Sequence, residues 1–142
     1  MDNWQRCRSV GEPVPIELWG QDHWSTLVYA EARAVDDRGI LDKRHMRCDP
    51  RTHPGFQHHS PPISGTAVKD GVLDRHDDWS CLEDADAEGL LELWYNIPGG
   101  GRAMAARVVL TDSGWRVVGQ LRRWKARGRP YSQFVSDLDG DQ

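Results

Sequence analysis

The chain has 142 residues, 38% hydrophobic and 28% charged, with a formal net charge of −4 and seven tryptophans. That length suits one compact domain able to bury roughly 68–70% of its unfolded surface, so neither a disulfide nor a metal is required to hold it. Cys7, Cys48 and Cys81 are too scattered for a disulfide framework, no run approaches about 18 apolar residues, and no signal-peptide core is visible; a cytoplasmic protein without membrane contact is expected.

Residues 1–15, with Gly11, Pro13 and Pro15, read as an irregular leader. Asp22 is the expected N-cap of a first helix over His23–Arg38. Trp24, Leu27, Val28, Ala32 and Val35 fall on one face of it, and Gly39 suits a left-handed C-terminal position. Ile40–Cys48 has room for a short strand. Residues 49–65 carry Pro50, Pro54, Pro61 and Pro62 and read as a long Pro/His-rich loop.

A second helix is expected from Asp77 or Asp78 to Glu88, with Trp79, Leu82 and Ala85 as its apolar stripe and Gly89 as its stop. "LLELWY" (Leu90–Tyr95) and "AMAARVVL" (Ala103–Leu110) read as antiparallel strands joined by the "NIPGGG" tip. Thr111 caps a last helix over Asp112–Ala126, whose Trp115, Val118, Leu121 and either Val117 or Trp124 supply the inner face. Gly128 and Pro130 stop it, and residues 131–142 form an acidic, flexible tail.

Charge is strongly segregated. Lys69–Tyr95 carries a net −7 and Asn96–Pro130 a net +7. Opposite poles attract two kinds of partner, or pack against each other.

The order helix, "EGLLEL", glycine-rich tip, "RVVLTDSGW", helix resembles the back half of a winged helix-turn-helix domain. It is most similar to bacterial regulators of the multiple-antibiotic-resistance and phenolic-acid-regulator types, over residues 77–127. At the junction, Leu110 ends a buried strand, Thr111 caps, and Gly114 lets the helix start pack closely. The resemblance implies an α+β, single, small, winged-helix-like domain over residues 1–130, with a two-stranded wing between two helices and an additional N-terminal helix. It also implies a DNA-binding, regulatory role. The would-be recognition helix, however, carries Asp77, Asp78, Glu83, Asp84, Asp86 and Glu88 and no base, which phosphates would repel. Nucleic-acid contact is therefore expected from Arg102, Arg107, Arg116, Arg122, Arg123, Lys125 and Arg127, with Arg129 beyond them. The bland alternative is that cations gather at a helix C-terminus because the dipole favours them.

Two other classes compete. A protein-interaction module would dock through the acidic helix 77–88, with Trp4 and Trp19 as anchors. A metal-binding protein would use zinc at His45, Cys48 and His53 in "RHMRCDPRTHPGFQHH", although that spacing matches no standard finger. Otherwise no cofactor is indicated. The "GGG" tip lacks the lysine and helix of a phosphate loop, and Asp22, His23 and Ser25, as sequence neighbours, read as cap residues and not as a catalytic triad, so no enzymatic activity is expected.

Overall fold

The computed structural model describes residues 4–6, 12–41, 65–74, 76–96 and 105–136. They form an α+β domain with two antiparallel sheets. Strand β1 (Gln5–Arg6) is followed by helix α1 (Gln21–Asp37), then by the hairpin β2 (Gly65–Val68) and β3 (Gly71–Asp74). Helix α2 (Asp78–Ala87), strands β4 (Leu91–Asn96) and β5 (Ala105–Leu110), and helix α3 (Asp112–Ala126) complete the order. The β4–β5 pair stands between α2 and α3 as the winged-helix-like reading requires, and β1 adds a third strand along β4.

Local chemistry sets the element ends. Asp77 accepts the Ser80 N–H and caps α2; Thr111 accepts the Gly114 N–H and caps α3. At the end of α2, Gly89 takes φ +77°, its N–H donates to Asp86, and the Leu90 N–H reaches back to Ala85. This double closure satisfies two orphan carbonyls and turns the chain directly into β4. Gly114 is needed for closeness: a Cβ there would drive into the Leu90 carbonyl, so only glycine lets α3 start against the β4 entry.

The core lies between the helices and the inner face of the three-stranded sheet. Leu91, Leu93, Ala106, Val108 and Leu110 face Leu27, Leu82, Val117, Val118 and Leu121. An aromatic series runs through it. Trp19 meets Trp24 edge-on at 4.8 Å, Trp24 meets Phe134 at 4.8 Å, and Phe134 meets Trp124 at 5.7 Å. The stretch after α3 is thus packed as far as Phe134, and not flexible from residue 131; residues 137–142 lie outside the described residues.

Several expectations need correction. The N-cap of α1 is Gly20; Asp22 sits in the first turn and accepts the Ala67 N–H, stapling the hairpin to α1. Gly39 does take the expected left-handed position, at φ +87°, and Arg38, the C-cap before it, is left-handed as well, at φ 55°. The inner face of α1 is rotated from the expected one. His23, Thr26, Ala30 and Glu31 are buried beside Trp24 and Leu27, while Ala32 and Val35 face outward. Trp19 is 1% exposed and donates its indole N–H to Val14 O, so it is no surface anchor. Trp115 lies outside the buried arc of α3, 42% exposed. The stretch "GTAVKDGVLD" is a hairpin closed by Lys69–Asp70 and stands directly before α2, where the winged-helix pattern would put a helix. Of the Ile40–Cys48 strand, Ile40 bridges Arg107 and the Leu41 N–H donates to Ala106; residues 42–48 lie outside the described residues, as does the loop up to residue 64.

Candidate functional site

The densest polar constellation is buried, and Asp84 is its centre. Cys81, Leu82, Asp84 and Ala85 all lie on the inner face of α2, so a carboxylate is carried into the core at a position the helical period assigns to an apolar residue. Asp84 is 3% exposed. Its Oδ2 lies 2.7 Å from His23 Nε2, on α1, and 2.7 Å from His76 Nε2, just before α2; its Oδ1 accepts the Val14 N–H at 3.0 Å. Burial by itself raises the carboxyl pKa. The hydrogen bonds from His23, His76 and Val14 outweigh it and hold Asp84 below the ordinary carboxylate range. An ionised carboxylate only accepts, so both imidazoles present Nε2–H to it. A ring that carries only this one proton has its lone pair at Nδ1.

Two groups stand near His76 Nδ1, Thr66 and Cys81. His76 Nδ1 is 2.9 Å from Thr66 Oγ1 and 3.8 Å from Cys81 Sγ, but the Thr66 hydroxyl already makes a 2.6 Å bond to the His76 carbonyl. His23 Nδ1 is buried with no hydrogen-bond partner among the described residues. Trp19 stacks flat on the His23 ring, centroids 4.9 Å apart, and fixes its plane. A ring nitrogen of His23, a ring nitrogen of His76 and Cys81 Sγ lie within 4.8 Å of one another.

The order Cys81, His76, Asp84 has the outline of a nucleophile, base and orienting acid. Its electrostatics oppose that use. Burial pushes the Cys81 thiol far above its ordinary range; the Thr66 hydrogen bond pulls it down, and the Asp84, Asp78 and Asp22 carboxylates push it further up. A reactive cysteine needs an electropositive, accessible setting, and this thiol has neither.

The acidity of α2 is largely used inside the molecule. Asp77 caps, Asp84 is the buried hub, Asp86 accepts from Arg6 and the Leu93 N–H, Glu88 accepts the Ile16 N–H, and Glu83 accepts the Trp79 indole N–H. Asp84, Asp86 and Glu88 bind the leader and strand β4 to the helix, which supplies a structural reason for the negative pole.

The sequence-predicted basic residues fall in two places. Arg116, Arg122, Arg123 and Arg127 share the outer arc of α3 or its end with the exposed Trp115 and with Gly119, over which the Arg123 guanidinium lies. Arg122 is tied to the buried Glu31 at 2.6 Å. Lys125 sits over Tyr131 and Arg129 over Trp124, off that arc. Arg107 belongs to the outer sheet face, where Arg6, Trp94 and Arg107 are cross-strand neighbours in one row; its Nε donates to Arg38 O, and it lines a shallow cleft with Trp4, Trp94 and Val109. Arg102 and the proposed zinc ligands His45, Cys48 and His53 lie outside the described residues. His76 and Cys81 were not legible as site residues; the available signal was Asp84, a carboxylate inside an apolar stripe.

No family model matches the chain, and no curated protein and no solved structure is significantly similar to it.

Proposed function

We propose that the protein is a small nucleic-acid-binding, regulatory module that uses the outer face of α3 together with the wing. The observation that carries this reading is the exposed arc of Trp115, Arg116, Arg123 and Arg127. Phosphates call for exposed, flexible cations, and an exposed indole among them offers a stacking platform for bases. Helix α2 has no role in this reading, because its carboxylates repel phosphate and are engaged in the fold.

The test is anisotropy of labelled duplex and single-stranded oligonucleotides against salt. Binding to either is expected to weaken steeply as salt rises. Arg116→Glu, Arg123→Glu and Arg127→Glu together should lower the log–log salt slope by about 3 and weaken binding at least tenfold. Arg122 is left unchanged, because reversing it also strips Glu31 of its partner. An oligonucleotide affinity that does not respond to salt, or no binding at low salt, removes the proposal.

A protein-docking role for α2 gains no support, since the carboxylates that suggested it hold internal partners. No helix of the described residues is long and apolar enough to cross a membrane.

A further inference from the structure

We infer that His23, His76 and Cys81 form the binding site of one divalent, thiol-seeking metal ion of the zinc class, oriented by Asp84. The inference is independent of the nucleic-acid reading and rests on different residues.

The donor set comes first. Two imidazole nitrogens and one sulfur within 4.8 Å of one another are the ligand types zinc prefers, and they suit magnesium and calcium poorly, since those ions demand oxygen. The 3.8 Å between His76 Nδ1 and Cys81 Sγ is close to what two ligands span across a tetrahedral ion with bonds of roughly 2.0–2.3 Å. The fourth position falls to a solvent molecule, because Asp84 already accepts the Nε2–H groups of both rings and the Val14 N–H.

The hydrogen bonding comes second. Ligating histidines characteristically donate their other ring N–H to a carboxylate, which fixes tautomer and plane. Asp84 Oδ2 stands 2.7 Å from both rings, and Trp19 clamps one of them. His23 Nδ1, buried in a residue only 2% exposed, has no partner among the described residues. A buried ring nitrogen without a partner costs free energy in the metal-free protein, and an ion removes that cost.

Charge comes third. Without metal the cluster buries one carboxylate against two imidazole rings. A divalent ion, the Asp84 carboxylate and a Cys81 thiolate sum to zero. Binding therefore displaces the Cys81 proton, which leaves to solvent, and the S–H bond is exchanged for a metal–sulfur bond. The His76 edge, with 12% of its side chain exposed, is where the cluster meets solvent. Because the three ligands come from α1, from the segment between β3 and α2, and from α2, the ion ties those segments together.

The test uses the full chain, stripped with a chelator and titrated with cobalt(II) as probe and then with zinc. One equivalent of cobalt is expected to give tetrahedral visible bands and a thiolate-to-cobalt charge-transfer band, all discharged by zinc. The C7S/C48S double variant, in which Cys81 is the sole thiol, should keep the full signal, while Cys81→Ser loses the charge-transfer band. Zinc at about a hundredfold above its Kd should raise the melting temperature of C7S/C48S by on the order of 10 °C. The inference is overturned if wild type gives no stoichiometric charge-transfer band. It is equally overturned if the band disappears in folded C7S/C48S, since a thiol elsewhere in the chain would then hold the ion.

Discussion

Replacing Asp84 by alanine is expected to remove about 3–5 kcal/mol of stability, because one substitution leaves three buried donors without an acceptor. The Nε2–H groups of His23 and His76 and the Val14 N–H all end on this carboxylate. Asp84→Asn should lose roughly half as much, since an amide still offers one oxygen and the imidazoles can change tautomer to meet its NH2. Urea unfolding of chelator-stripped protein reads these hydrogen bonds apart from any ion. A loss for the alanine variant under about 1 kcal/mol would show that the hub is not a stabilising element.

The second large effect is expected at Gly114. Adding one methyl group there sets a Cβ against the Leu90 carbonyl, and backbone on both sides leaves little room to relax. Gly114→Ala should cost about 3 kcal/mol, at the upper end of overpacking penalties. Gly119, one and a half turns on, is the control. Its Cβ would meet nothing nearer than the Arg123 guanidinium at 3.6 Å, so Gly119→Ala should stabilise by up to about 1 kcal/mol through helix propensity. Thermal unfolding of the two variants side by side checks both signs, and equal effects would refute the close-approach argument.

What the chain disclosed in advance was local. Helix α3 came out with its bounds because Thr111, the apolar spacing and the Gly128 stop agree with one another. The stripe Trp79, Leu82 and Ala85 and the Gly89 closure of α2 were legible for the same reason. The faces that failed are those whose polar members find partners far away in sequence. On α1, His23 and Glu31 are buried because Asp84 and Arg122 come to meet them, and nothing near positions 23 or 31 announces that. Trp115 was misplaced because hydrophobicity says nothing about which side of the arc a bulky residue takes when Val117, Val118 and Leu121 already fill the core side. The β2–β3 hairpin escaped because β3 is exposed throughout, so no alternation marks it.

The same reasoning explains why the histidines of residues 44–59, which lie outside the described residues, are the ones that stand out in the sequence. Adjacent donors such as His45, Cys48 and His53 are conspicuous in a sequence. Donors assembled by folding are 53 and 58 residues from His23, at His76 and Cys81, and are visible only in the packed molecule.

The Asp84 hub also has a kinetic side. It closes a contact 61 residues long to His23 and one 70 residues long to Val14. Contacts of that span are entropically expensive to form before the local elements exist, so the hub is expected to form late in folding, which the refolding and unfolding rates of Asp84→Asn would check. Weakening it should then steepen the escape from the native state while leaving refolding almost unchanged. The buried carboxylate is thus a lock that sets how long the folded molecule lasts, and it takes little part in how quickly that molecule is made.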